Sequence, residues 1–314
     1  MTHNENEVIF SIQAPEECSM IEYPEKAISF FNSAEKAYKQ AIQLAREQKK
    51  TARIVYDLSR SVIFTETSIV ILIAHIKDRN INRGLPSILT FPKDKVCEHK
   101  LRKAGIQKKV GASNIDHDDA QVQKISNLQV TNKIAKQIVI DSSIFLYKKD
   151  IRIKELYSIL IELMANTNNH ADSENTAIYP WWLFLFKDEK KEIIKFVFLD
   201  LGVGIFESLP VKQFIIKEPL SFLQVKTGSV KRRGEELNKI FSALISGKIK
   251  SSTGLPTRGK GLPLIAKIAK SGHFCSFKII SNDAYIDVTN NEVSAMNENF
   301  SGTLYYFELK KSIL

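Results

Sequence analysis

The sequence predicts an α/β protein built from two domains. Before residue 112, short apolar stretches with strand character alternate with stretches of helical periodicity, which is typical of a small α/β domain. Residues 112–132 are polar and contain few large apolar side chains, so they are predicted to connect two domains. After them, apolar strands alternate with helices again. At 314 residues, 44% of them hydrophobic, the chain is long enough for two such cores.

The elements of the first half follow one another as strand and helix. The predicted strands are EVIFSIQ, TARIVYDLS and LPSILTFP, and the predicted helices are residues 25–49, TETSIVILIAHIKDRN and DKVCEHKLRKAGI. Over residues 50–110, VYDLS at the end of a strand, RGLPSIL and LRKAGI resemble STAS domains, the fold of anti-sigma-factor antagonists. The resemblance implies a STAS-like α/β domain over residues 1–111. Where such domains often carry a phosphorylatable Asp-Ser-Ser-Gly turn, this chain has Thr65-Glu66-Thr67-Ser68.

A helix with two distinct faces opens the second half, in the sequence IRIKELYSILIELMANTNNHA. Its buried face is predicted from residues that recur at three- and four-residue steps: Ile153, Leu156, Leu160, Leu163, Met164 and Thr167. Glu162, Asn166 and His170 are each four residues apart, so they form a polar row on another face. A solvated face would explain this row equally well, and the motifs that follow decide between the two interpretations.

The next motif is a carboxylate at the end of a strand. The strongly apolar stretch EIIKFVFLD ends at Asp200, and Gly202 and Gly204 follow. Asp at a strand end can accept a hydrogen bond from an exocyclic amine, and glycines let the backbone approach a ligand closely. The pattern D-x-G-x-G therefore predicts a binding site, although on its own it is weakly specific.

A second glycine motif, TGLPTRGKGLPLI at residues 253–265, comes close to the P-loop pattern G-x-x-x-x-G-K-[ST]. A P-loop requires a Ser or Thr hydroxyl for the magnesium ion, and this chain has Gly261 at that position. Gly259 and Gly261 instead precede the apolar helix LPLIAKIAK, and backbone N–H groups at a helix start favour phosphate. A last motif, FSGTLYYFEL, places Gly302-Thr303 at the predicted start of the final strand.

Four motifs, ELMANTNNHA, DLGVGI, GKGLPLI and SGTLYYFEL, follow the order found in the GHKL ATPase family. This family includes gyrase, MutL-type and chaperone ATPases, sensor histidine kinases and anti-sigma-factor kinases, and the chain resembles the last group most. The resemblance covers residues 136–314 and implies a sandwich with helices on one face of a mixed sheet. Residues 112–135 would be a polar connection, and residues from about 206 to 260 a long basic lid.

Carried over position by position, the resemblance implies a site for ATP and Mg²⁺. Asn166 would bind the metal through its amide oxygen, Asp200 would bind the adenine amine, and Glu162 would activate water. The other ATP-binding residues that the resemblance implies are Asn169, His170, Gly202, Gly204, Arg258, Gly259, Lys260, Gly261, Leu262 and Thr303.

The net charge of +10 raises the question of nucleic-acid binding. The excess is local, since residues 211–260 hold eleven Lys or Arg against three Glu. Because this segment lies between the two glycine motifs, it is predicted to cover a nucleotide. A nucleic-acid surface is the alternative, which the sequence does not favour.

Three functions remain open from the sequence. The chain is expected to be an ATPase whose lid regulates a protein partner, a homodimer or the STAS-like half; alternatively it is a Ser/Thr protein kinase of the anti-sigma-factor type, or a module that binds ATP without hydrolysing it. The chain has neither a signal-peptide pattern nor the roughly 18 consecutive apolar residues of a membrane-spanning helix. A cytoplasmic protein without membrane contact is therefore expected. Its three cysteines are far apart, which predicts reduced thiols.

Overall fold

The computed structural model describes residues 6–78, 87–106, 109–110, 122–127, 129–169, 181–209, 230–248 and 261–311. The chain forms two compact units, Met1–Gln123 and Lys124–Leu314. Both units combine helices with a β-sheet, so the predicted α/β class is confirmed.

In the described part of the first unit there are six strands and three helices. Its strands are β1 Glu7–Gln13, β2 Glu17–Cys18, β3 Thr51–Asp57, β4 Ile63–Phe64, β5 Ser87–Thr90 and β6 Lys109–Val110. Its helices are α1 Pro24–Gln48, α2 Glu66–Lys77 and α3 Lys95–Lys103. The main sheet has the order β1-β3-β5-β6, with the first three strands parallel and β6 antiparallel to β5. The sequence predicted β1, β3, β5 and all three helices, but the other strands have two residues each, too few for a period to show.

The second unit contains five strands and four helices among its described residues. The strands are β7 Val122–Asn127, β8 Trp181–Asp188, β9 Ile193–Asp200, β10 Phe274–Asp287 and β11 Glu292–Lys310. The helices are α4 Asn132–Tyr147, α5 Lys154–Asn169, α6 Val230–Ile245 and α7 Gly261–Ala269. The sheet order is β10-β11-β9-β8-β7. The three ladders from β10 to β8 are antiparallel. The mixed sheet that the resemblance implies stays a prediction.

One hydrophobic core joins the four helices of the second unit to alternate residues of its sheet. Phe196, Phe307 and Phe277 stack across three neighbouring strands, with ring centroids 4.8 and 5.1 Å apart. Helix α5 buries every residue of its predicted apolar face, which confirms that prediction. Because this face is fixed in the core, Glu162 and Asn166 lie on the half-buried side of the same helix.

Two element boundaries differ from the sequence prediction. Strand β7 and the start of α4 lie within residues 112–135, the predicted polar connection. The polar sequence of β7, VQKISN, shows little strand character because this strand lies at the sheet edge. Gly302 and Thr303 lie in the middle of β11, not at its start, because the polar stretch that begins at Glu292 pairs with β10 in a hairpin.

The predicted lid, residues 206–260, includes a helix that belongs to the core. Helix α6 buries Leu237 and Phe241, and a Cβ atom on Gly234 would lie 3.4 Å from the backbone nitrogen of Ala295 in β11. The apolar residues of GEELNKIFSALISG explain this packing, since they recur on one side of the helix. This part of the segment is therefore a helix that packs on the core. Residues 210–229 and 249–260 lie outside the described residues.

Among the helices in the described ranges, none is both long enough and apolar enough to cross a bilayer. The cysteines are free thiols, with Cys18 and Cys97 buried and Cys275 exposed.

Candidate functional site

Helix α5 closely approaches the first residue of α7. A Cβ atom on Gly261 would lie 2.8 Å from Glu162 Oε2 and 2.9 Å from Asn166 Oδ1, so a larger residue would displace both groups. Leu262 follows and packs against the core, which fixes the first turn of α7. Two members of the predicted polar row thus face the N-terminus of a second helix, where backbone N–H groups carry partial positive charge.

Asp200 is a buried carboxylate at the end of β9, as predicted, with only 9% of its surface exposed. Its Oδ1 accepts a hydrogen bond from the backbone N–H of Gly202 at 2.8 Å. Burial raises the pKa of Asp200 to about 6, while the hydrogen bond from Gly202 opposes this shift. Within the described residues no cation forms an ion pair with it. Burying such a carboxylate lowers stability, and perturbed carboxylates of this kind cluster at functional sites.

Tyr305 of β11 interacts electrostatically with Asn166 of α5 and with Asp200 at the end of β9. Its pKa is raised by burial and by the nearby charge of Asp200, and a side-chain hydrogen bond with Asn166 lowers it. Tyr305 therefore lies near both α5 and the carboxylate at the end of β9. The sequence did not single out Tyr305, because it appears there as one more residue of an alternating apolar strand.

Thr303 lies directly opposite Asp200 in the β11–β9 ladder. It is buried, and its hydroxyl is 3.0 Å from Ser281 Oγ. The preceding Gly302 has φ +114°, and a Cβ atom there would collide with the carbonyl oxygen of Asp200. The pair Gly302-Thr303 is therefore held close to Asp200 by backbone contact.

The turn that follows Asp200 is bonded to two side chains of β10 that the sequence did not single out. Ser281 Oγ accepts a hydrogen bond from the N–H of Ile205 at 2.8 Å. Asn282 Oδ1 accepts one from the N–H of Phe206 at 3.0 Å, and its Nδ2 donates to the carbonyl of Val203 at 2.9 Å. The shape of the turn thus depends on a strand far away in the sequence.

The glycines of the D-x-G-x-G motif fit this turn for two separate reasons. Gly204 has φ +89°, and a Cβ atom on it would lie 2.5 Å from Asn282 Oδ1. Its position therefore excludes a side chain on grounds of both conformation and space. At Gly202 a Cβ atom would lie 3.1 Å from Asp200 Oδ1, so the absence of a side chain keeps the carboxylate accessible.

Several predicted site residues are not placed by the structure. His170, Arg258, Gly259 and Lys260 lie outside the described residues. Asn169 ends α5, and nothing is described of its side chain. Their roles stay predictions.

The cationic segment also contributes contacts within the fold. Arg233 of α6 donates to the carbonyl of Met296 at 2.8 Å and lies 3.9 Å from Asp283 Oδ2. Lys239 donates to Glu236 Oε1 at 2.8 Å but remains exposed. Arg233 is therefore engaged by β10 and β11, and its charge is partly neutralised there.

Comparison with known proteins does not assign the site. Neither the models of known protein families nor the curated protein sequences match this chain. The part of the chain that the structure describes also contains no group of three or more His, Cys, Asp or Glu that could hold a metal ion by themselves.

Proposed function

We propose that the second unit binds ATP with Mg²⁺ and hydrolyses it, as expected from its resemblance to GHKL ATPases. The observation that carries the proposal is that Glu162 and Asn166 converge on Gly261, while Gly202, Gly302 and Thr303 converge on Asp200. The four motifs that resemble the family are far apart in the sequence, yet described residues of them meet in pairs: Gly261 lies beside Glu162 and Asn166, and Gly302-Thr303 lies beside Asp200. A solvated helix face would not produce this convergence.

In the proposed complex, Asp200 binds the adenine. Its carboxylate accepts a hydrogen bond from the exocyclic amine, and the glycine turn lets the base approach the backbone. Thr303, opposite Asp200 in the ladder, supports the same edge of the base. A hydrogen bond to a charged acceptor in a buried site is a strong source of affinity and specificity.

The phosphates are proposed to lie between α5 and the start of α7. The N–H groups at this helix end favour an anion, and the amide oxygen of Asn166 is a hard ligand suited to Mg²⁺. A single protein ligand fits this ion, which commonly keeps waters and substrate phosphates as its other ligands. When bound, magnesium would neutralise negative charge on the phosphates. Asn166 would orient it, and Tyr305 would orient Asn166.

Glu162 is proposed as the general base for hydrolysis. It lies beside Asn166 at Gly261, and partial burial raises the pKa of its carboxyl above the usual value. A carboxylate whose pKa moves toward neutrality becomes a better proton acceptor at physiological pH. Glu162 would therefore accept a proton from the water that attacks the terminal phosphate.

The first unit is proposed to be a STAS-like domain through which the nucleotide state acts on a protein partner or on a second copy of the chain. Its segment Thr65–Ser68, which includes the start of helix α2, is not well suited to accept a phosphoryl group. Thr67 and Ser68 are 1% and 0% exposed, and Thr67 Oγ1 accepts a hydrogen bond from Met20 N at 3.3 Å. Transfer to either hydroxyl would first require the first turn of α2 to unfold.

The proposed activity is tested by incubating the purified chain with ATP labelled on its terminal phosphate, in the presence of Mg²⁺. Label recovered as free phosphate is the expected result. Label that appears on the protein would instead favour a kinase, and retained ATP without turnover would favour a binding module. A mock purification from cells that lack the chain controls for contaminating ATPases.

We expect ATP affinity to fall as the pH is lowered from 7.5 to 5. Asp200 has a pKa of about 6, and its protonated form no longer offers two acceptor oxygens to the adenine amine. Calorimetric titrations with Mg-ATP across this range measure the change. Asp200→Asn is the control, because its residual pH dependence reports the titration of ATP and of other groups. Parallel pH profiles for the two proteins would contradict the role of Asp200.

A further inference from the structure

Strand β10 is irregular where it meets the turn after Asp200. Its pairing with β11 shifts register on both sides of Asn282, which has φ +55°. Asn tolerates this left-handed conformation better than most residues do. In a regular strand, neighbouring side chains point to opposite faces, but a bulge can turn two successive side chains toward one target. Here both Ser281 and Asn282 reach the same turn, and both are buried.

The two side chains bond four polar backbone groups of that turn. Besides the bonds already described to Val203, Ile205 and Phe206, Asn282 Oδ1 lies 3.3 Å from the N–H of Glu207. The amide of Asn282 thus uses both its oxygen and its nitrogen on one segment. Ser281 O–H, for its part, donates to the carbonyl of Gly302 at 3.0 Å, so the turn is also tied to β11.

Hydrogen bonds from such distant residues are unusual for a connecting turn. Surface turns are commonly held by bonds among their own neighbouring residues. This one has local bonds, such as that from Ser208 N–H to the carbonyl of Gly204, but it is also held by side chains at least 75 positions away, one of them on a residue in left-handed conformation within a strand. Local strain of this type is concentrated at functional sites, where surrounding contacts maintain it.

We propose that Ser281 and Asn282 are positioning residues, which hold the backbone from Gly202 to Glu207 in the shape that ligand binding at Asp200 requires. The proposal rests on the function proposed above. Neither residue needs to touch the nucleotide. Asn282 also fills the space that a side chain on residue 204 would occupy, so it holds Gly204 where the ligand can approach the backbone.

The test compares two substitutions that have the same backbone effect. Asn282→Gly removes the side-chain amide that bonds the turn and keeps the left-handed conformation accessible. Asn291→Gly is the matched control, because Asn291 has φ +60° in an exposed turn and bonds Lys270. Ser281→Ala removes the other acceptor, and Asn282→Asp keeps the acceptor oxygen. Each protein is titrated calorimetrically with Mg-ATP, and backbone amide exchange is measured in the nucleotide-free state.

In Asn282→Gly we expect faster exchange at Phe206 and Glu207 and affinity for Mg-ATP about tenfold weaker, as loss of more than one hydrogen bond implies. In Ser281→Ala, exchange should rise mainly at Ile205. Asn282→Asp should keep protection at Phe206 and Glu207, and Asn291→Gly should match the parent in both measurements.

Two results would overturn the proposal. Unchanged exchange at Phe206 and Glu207 in Asn282→Gly would show that the side chain does not hold the turn. Faster amide exchange with unchanged affinity for Mg-ATP would show that the hydrogen bonds from Asn282 to the turn do not support ligand binding. If the parent bound no adenine nucleotide, the proposed function would fail and the positioning role with it. The exchange data would still decide whether Ser281 and Asn282 hold the turn. Should Asn282→Gly not fold, Ser281→Ala and Asn282→Asp decide by the same two measurements.

Discussion

Glu162→Gln is expected to slow ATP hydrolysis by about 100-fold or more, the usual contribution of a positioned base. Glutamine has nearly the same shape but cannot accept the proton from water. Affinity for Mg-ATP should stay within about threefold of the parent, because the base acts on water and not on the nucleotide. Single-turnover hydrolysis and calorimetric titration measure the two effects separately.

Glu155→Gln is the matched control on the same helix. Glu155 lies two turns before Glu162 and faces His273 at 3.8 Å, so its substitution should leave hydrolysis at the parent rate. Equal rates for Glu162→Gln and the parent would exclude Glu162 as the base.

Asn166→Ala distinguishes metal binding from proton transfer, since it should weaken the magnesium-dependent part of ATP affinity.

Asp200→Asn is expected to weaken ATP binding by about 1.5 to 3 kcal/mol, the range for hydrogen bonds that involve a charged group. The same substitution should stabilise the nucleotide-free protein at pH 7. Burial raises the folded-state pKa of Asp200 from 3.8 to about 6, so the unfolded chain ionises first as the pH rises. The folded state therefore loses stability between about pH 4 and pH 6, on the order of 3 kcal/mol at most.

Asn at position 200 does not ionise, so this loss of stability does not occur, and its oxygen can still accept the hydrogen bond from Gly202. Chemical denaturation at pH 7 and pH 4 measures the difference between the two proteins, which should be large at pH 7 and vanish near pH 4. Reduced stability of Asp200→Asn at pH 7 together with unchanged ATP affinity would indicate a structural carboxylate.

Asp287→Asn provides the contrast. Asp287 is equally buried, but it lies 3.3 Å from Lys278 and accepts two hydrogen bonds from Asn290. Its substitution removes the charge from an ion pair, so stability should fall at pH 7 while ATP affinity is retained. Opposite changes in stability for two buried Asp residues of one sheet would separate a binding carboxylate from a structural one.

The sequence predicted those parts of the site that depend on local patterns. Helix α5 was predictable because its apolar residues recur at helical spacing, which also fixed the side on which Glu162 and Asn166 lie. Asp200 was predictable because a long apolar run ends there and glycines follow. Both patterns extend over fewer than about 20 residues, within which periodicity is informative.

Contacts between distant segments were not predictable in the same way. Ser281 and Asn282 meet the glycine turn only because β10 pairs with β11 and bulges there, and nothing in the letters ISND indicates a bulge. The role of Tyr305 depends likewise on the β11–β9 register, which places Thr303 opposite Asp200. Register is decided by tertiary packing, so a single sequence does not reveal it.

Composition does not reveal that part of the basic segment is buried. The position of this segment between the two glycine motifs predicted a cover for a nucleotide, and Leu237 and Phe241 of α6 within it are core residues. Arg233, counted as part of the positive surface, bonds Met296 and faces Asp283. Net charge informs about attraction at a distance and says little about which side chains remain available.

The most direct test of ATP binding at this site uses paramagnetic Mn²⁺ in place of Mg²⁺, with amide signals of the chain followed by NMR. Mn-ATP should broaden the signals of Glu162, Asn166 and Gly261 at concentrations where Mn²⁺ alone does not. Signals of Ile193, at the opposite end of β9 from Asp200, should keep their width. Absence of broadening at α5 and α7, or broadening confined to α6, would contradict an ATP and metal site formed by Asn166, Gly261 and Asp200.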